Sequence, residues 1–215
     1  MLEIFTSPLS LLFWLTALVI AITIHEFAHA FVADRLGDPT PRISGRLTLN
    51  PFAHLDPLGT LALLIVHFGW GKPVPVDSFN LRNPKRDVAL VSLAGPVSNL
   101  ILAVILSLLL RLIFVIWPPF IFSFQLFPVI YVFLQTSIAL NVTLAIFNLL
   151  PIGPLDGAKI LIGFLPPKQS YQVEEILNQY GLFILLFLLI PLGNQPPLIA
   201  KLISPLINFI INLLI

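Results

Sequence analysis

Hydrophobic residues in this chain fall into long unbroken runs, and the polar residues gather between them instead of alternating along one face. Three runs, Leu9 to Val32, Val88 to Leu110 and Phe127 to Leu150, reach the roughly 20 residues a helix needs to cross the hydrocarbon of a bilayer. Two weaker runs, Ile176 to Leu192 and Leu198 to Ile215, bring the expected number of transmembrane helices to about five. Leu58 to Trp70 is apolar too, but its length of about 13 residues suits a re-entrant or interfacial segment better than a crossing. The stretch 34–87 is rich in Pro, Gly, Asp and Asn, and within it Arg46 to Leu49 and Val74 to Val76 could pair as a small β-hairpin. The pattern predicts an all-α integral membrane protein: one membrane-embedded domain over residues 1–215, with a core over about 9–160 and C-terminal helices over 176–215.

Composition supports this reading, since 58% of the 215 residues are hydrophobic and only 10% charged, far from a soluble globular domain. A net charge of +1, with basic residues scattered through loops, excludes nucleic acid as a partner. The absence of cysteine removes disulfides and thiolate-bound zinc, so any metal must be held by histidine and by carboxylate or amide oxygen. Glu3 precedes the first run and no Lys or Arg does, so that run reads as a retained span and not as a signal peptide. Arg35, Arg42, Arg46, Lys72, Arg82, Lys85 and Arg86 crowd segment 34–87, whereas Arg111 stands alone between the second and third runs. The positive-inside rule therefore puts 34–87, Lys159 and Lys168 in the cytoplasm, with the N-terminus and the loop around Pro118 and Pro119 outside.

The first run contains His25-Glu26-Phe27-Ala28-His29. Four residues apart on a helix, the two histidines share a face and can reach one Zn²⁺, while Glu26 is close enough to activate a water. Ionisable side chains are expensive at membrane depth, and a metal ion would compensate them. The third run ends in Asn148-Leu149-Leu150-Pro151-Ile152-Gly153-Pro154-Leu155-Asp156-Gly157, where two prolines break the helix. Irregular backbone at that depth must line a protein cavity. If the first span enters from outside, His25 and His29 lie roughly 24–30 Å from its outer end, near the cytoplasmic boundary. Asn148 and Asp156 arrive at the same level, and so does Asn99, because the second span runs the other way from Ser92-Leu93-Ala94-Gly95-Pro96-Val97-Ser98-Asn99. Asn99 either contacts the site or joins helices. Asn141-Val142-Thr143 is a glycosylation sequon inside a span, so Asn141 is expected to pack or hydrogen-bond near the site. His67, in an apolar stretch, reads as structural.

These residues together resemble the site-2 protease family of intramembrane zinc metalloproteases, peptidase family M50. Asn50 to Thr60, Gly69 to Arg86 and Ala94 to Asn99 further resemble its compact prokaryotic branch, which has no PDZ or CBS domains. The resemblance covers roughly residues 10–160 and implies His25, His29 and Asp156 as ligands of one Zn²⁺ per chain, with a fourth position left to water. It further implies Glu26 as general base and Asn148 as the group that positions the scissile carbonyl. His54, in Asn50-Pro51-Phe52-Ala53-His54, matches a histidine of that branch and is implied as a ligand or as a neighbour of the ligands. Where many members carry proline, this chain has Gly153, which would loosen the loop that presents Asp156.

The expected function is hydrolysis of peptide bonds in or near the transmembrane segments of other membrane proteins, within the lipid bilayer. A competing reading is a zinc-binding membrane scaffold or metal carrier without proteolysis. Retention of Glu26 argues against it, because a carrier needs only ligands. An ion transporter would spread ionisable residues over several depths, whereas here they concentrate near one face.

Overall fold

The computed structural model describes residues 8–66, 69–116, 126–191, 193 and 195–215. The expectations for Glu3, His67, Pro118, Pro119 and Leu192 fall outside the described residues. Among the described residues eight α-helices follow one another: α1 Pro8–Leu36, α2 Thr40–Ile43, α3 Pro57–Val66, α4 Pro84–Ile116, α5 Leu126–Asn148, α6 Asp156–Phe164, α7 Pro167–Leu189 and α8 Leu198–Leu214. Short 3₁₀ turns occupy Pro51–Ala53 and Ser78–Asn80. Among the described residues four helices, α1, α4, α5 and α7, are long and apolar enough to cross a membrane. The fifth expected span, α8, is apolar but has 17 residues. At 1.5 Å per residue that is about 26 Å, a little short of the roughly 30 Å hydrocarbon thickness.

Helix α4 is the centre of the arrangement and packs against α1, α5 and α6, while α8 packs on α5 and α7. Ala17, Ala21, Ala30 and Ala33 are buried along α1, and such small side chains let helix backbones approach closely where lipid supplies no hydrophobic drive. A second, aliphatic core joins Leu134, Ile138, Val142 and Ile146 of α5 to Leu185 of α7 and to Ile199, Ile203 and Ile207 of α8.

The expected hairpin does not form. Among the described residues of 34–87 there is one antiparallel bridge, Leu55 with Gly71, and no strand. Pro73 and Pro75 flank Val74 and have no N–H to give to a ladder, and Val74 donates its own to Glu26 instead. Arg46 ties the stretch together by another route, donating to the carbonyls of Ala53 and Lys72. The apolar segment from Leu58 becomes α3, which is too short to cross.

Candidate metal centre

Helical spacing on α1 brings the His25 and His29 rings to 4.6 Å between centroids, nearly perpendicular at 87°. Asp156 faces them: its Oδ2 is 3.1 Å from His25 Nε2 and 3.3 Å from His29 Nε2. Both histidines are buried. Asp156 owes its place to the break after α5, where Leu155 stays extended and α6 begins at Asp156 itself, with the carboxylate in the favourable field of the helix N-terminus. Gly157 is required there, because a Cβ would lie 2.3 Å from the carbonyl oxygens of Leu149 and of Leu150.

The outer ring nitrogens are also held. His29 Nδ1 is 2.7 Å from the Val91 carbonyl, which can only accept, so Nδ1 carries the proton and Nε2 presents a lone pair to Asp156. His25 Nδ1 is 2.6 Å from Asn99 Oδ1. Three acceptor atoms therefore converge. A proton on one Nε2 joins that nitrogen to Asp156 Oδ2 but leaves the other nitrogen's lone pair against the carboxylate, and protonating both would bury two adjacent cations, whereas one metal ion satisfies all three atoms.

Zinc fits this donor set. With bonds of about 2.0–2.1 Å, tetrahedral donors sit about 3.3–3.4 Å apart, within a few tenths of both His–Asp separations here. The space between the donors is kept open by Gly95 of α4: a Cβ would fall 2.5 Å from His29 Nε2 and 2.6 Å from His25 Nε2. No side chain larger than hydrogen can stand there.

Glu26 is half-buried beside the pair, with Oε2 accepting the Val74 N–H at 3.2 Å. His25, Glu26, His29, Asp156, Asn148 and Lys159 all line a cavity of about 650 Å³ whose wall is mostly apolar. Asn148 donates to the Leu144 carbonyl at 3.0 Å. Asn99 and Asn141 do not line the cavity. They are fully buried behind His25, with Asn99 Nδ2 donating to the Ala21 carbonyl at 3.0 Å and to Asn141 Oδ1 at 2.8 Å. His54 lies outside the cluster of His25, His29 and Asp156. Its Nε2 donates to the Thr48 carbonyl at 2.8 Å, and its Nδ1 is buried without a partner.

Sequence reasoning missed three contributors. The Val91 carbonyl and the Val74 N–H are backbone groups, invisible to any residue pattern. Gly95 was visible only as one of several small residues, with nothing to say that it faces the histidines.

Comparison with known proteins identifies the relatives of this chain. The model of peptidase family M50 matches residues 127–188. YwhC of Bacillus subtilis, whose name marks it as a candidate zinc metalloprotease, is 42% identical over 189 residues, covering 87% of this chain and 85% of YwhC. Rip2 of Mycolicibacterium smegmatis, similarly named, is 37% identical over 80% of this chain and 64% of its own length. Rip2 of Mycobacterium tuberculosis (strain H37Rv) is 36% identical over 82% and 66%. The chain thus spans about two thirds of the Rip2 relatives. No solved structure matches it. These relatives, together with the apolar helices, define a membrane metalloprotease. The chain belongs to peptidase family M50, the site-2 protease family.

Proposed function

We propose that this protein is an intramembrane zinc metalloprotease, with one Zn²⁺ per chain, that hydrolyses peptide bonds in or near the transmembrane segments of other membrane proteins. The observation that carries the reading is the meeting of His25 Nε2, His29 Nε2 and Asp156 Oδ2 around the space that Gly95 keeps open, with Glu26 beside it on the same cavity wall. The whole chain acts as one membrane-embedded domain whose catalytic core is about 9–160. The basic segment 34–87 faces the cytoplasm, the N-terminus lies outside, and the site opens toward the cytoplasmic side.

His25, His29 and Asp156 would hold the zinc, whose Lewis acidity makes water nucleophilic near neutral pH. Glu26 accepts the proton of the attacking water on its carboxylate and hands it to the leaving amide nitrogen. The Val74 N–H occupies one Glu26 oxygen and leaves the other for that transfer. Asn148 uses one amide hydrogen on Leu144, and its second can hold the scissile carbonyl as charge develops there. A substrate helix must unwind locally, because a helical carbonyl is engaged within its own backbone.

The test measures zinc content, and cleavage of a single-span substrate in detergent, for the wild type and for Glu26→Gln. Zinc in both, with cleavage lost in the variant, is the expected result. Zinc in both with no cleavage by the wild type across a panel of substrates would favour a scaffold or carrier.

A further inference from the structure

Behind His25 a line of buried polar groups crosses three helices: His25 on α1, Asn99 on α4, then Asn141 and the Ser137 carbonyl on α5. We infer that Asn99, backed by Asn141, is a positioning residue that fixes which nitrogen of His25 carries the proton. The inference rests on the zinc reading above and deepens it.

The direction of the line is set by its two backbone carbonyls, which can only accept. Asn141 Nδ2 is 2.8 Å from the Ser137 carbonyl, so its other end, Oδ1, must face Asn99. Asn99 Nδ2 then finds two acceptors, Asn141 Oδ1 at 2.8 Å and the Ala21 carbonyl at 3.0 Å, which use both of its hydrogens. Turning the Asn99 amide over would place its oxygen against both acceptors. Its Oδ1 is therefore committed to His25, and an oxygen 2.6 Å from Nδ1 requires the hydrogen to be on Nδ1. The lone pair of His25 is left on Nε2, facing Asp156, where a metal can use it.

The second histidine needs no such device, because the Val91 carbonyl does for His29 what a side chain must do for His25. Asn99 and Asn141 are both fully buried, so no solvent water can replace either partner. An amide also does this without charge, so His25, His29, Asp156 and the metal keep their own charge balance.

The experiment compares zinc affinity, by competition with a chromophoric chelator, among the detergent-solubilised full chain, Asn99→Leu and Asn99→Asp. Asn99→Leu removes the acceptor and is expected to weaken zinc binding about 10–100-fold. Asn99→Asp keeps an acceptor for His25 but cannot donate to Ala21 or Asn141, and it should stay within a few-fold of the wild type. A residue that merely glued helices would make Asp as damaging as Leu. Equal losses in both variants would overturn the inference while leaving the zinc site standing. Absence of zinc from the wild type would overturn the metal reading and this inference with it. A measurement independent of variant folding is ¹⁵N NMR of the zinc-loaded wild type, which should find the His25 proton on Nδ1. A proton on Nε2 would overturn the inference.

Discussion

The interface of α1, α4 and α5 and the interface of α5, α7 and α8 lie side by side, yet they are built from different chemistry. The first is made of alanines, Gly95, and the buried polar line of His25, Asn99 and Asn141. The second is aliphatic, with Ile199, Ile203 and Ile207 of α8 and Leu185 of α7 against α5. The end of α8 is tied from outside this interface by α4, where Ser107 donates to the Leu214 carbonyl and Arg111 to the Leu213 carbonyl at 2.9 Å, satisfying carbonyls left over at the end of α8. Lipid tails are as apolar as leucine, so the aliphatic interface is held by packing, which weakens by degrees. Hydrogen bonds and converging donor atoms tolerate little displacement. The first interface should therefore fail in function, and the second only in stability.

Gly95→Ala tests the first half of that contrast and has the largest expected effect. The new methyl would have to lie within 2.6 Å of both Nε2 atoms, so the rings must move or the metal must leave. Zinc per chain should fall well below one, and cleavage by at least about 10²-fold, the usual consequence of displacing catalytic groups by an ångström. A variant with full zinc and undiminished cleavage would refute the account of the space between the donors.

Ile203→Ala tests the second half. It removes a buried aliphatic group from α8. The loss should be about 2 kcal/mol, the low end for such substitutions, because transfer to lipid recovers none of the hydrophobic term that water would. SDS-titrated unfolding reads the stability, and zinc content should remain that of the wild type. Loss of zinc in this variant would show that the two interfaces are coupled and not separable.

The same division explains how much could be read from the chain. His25 and His29 were legible because a helix turns their spacing into a shared face, Glu26 because it adjoins them in the same motif, and Asp156 because prolines mark a break that must line a cavity. Three of the long helices were legible from run length alone, whereas α7 was legible only as a weaker run from Ile176 and begins nine residues earlier, at Pro167. What stayed hidden depends on tertiary approach. Asn99 was expected either to contact the site or to join helices, and Asn141 to pack or hydrogen-bond near it, but their order behind His25 depends on how α4 and α5 face α1. The Val74 region looked like a strand because its residues are β-branched, whereas its flanking prolines and the Glu26 carboxylate decide its pairing. His54 matched a motif, yet the turn at Pro51–Ala53 commits its ring to Thr48.

A smaller effect is expected where the polar chemistry of the first region extends beyond the end of α1. Asp38 is fully buried and accepts from the Thr40 N–H at 3.0 Å, the Thr40 hydroxyl at 2.5 Å, the Asp77 N–H at 2.8 Å and Asn80 Nδ2 at 3.1 Å. Burial alone would raise its pKa, but these donors outweigh burial and hold the carboxyl below its ordinary value. A carboxyl depressed on folding contributes stability that is complete above the unfolded value, about 3.9, and is lost as pH falls through the lower folded value. A carboxamide in its place would turn an N–H toward donors, so Asp38→Asn should cost about 1 kcal/mol at pH 7, and that difference should shrink below about pH 4 as the wild type is protonated. Because Asp38 anchors Asp77 and Asn80, just beyond the Val74 N–H that holds Glu26, cleavage should fall a few-fold while zinc content is unchanged. Unfolding midpoints of both proteins at pH 7 and pH 3 decide the matter: a difference that persists undiminished at pH 3 would mean that shape, and not the charge on Asp38, fixes this segment over the site.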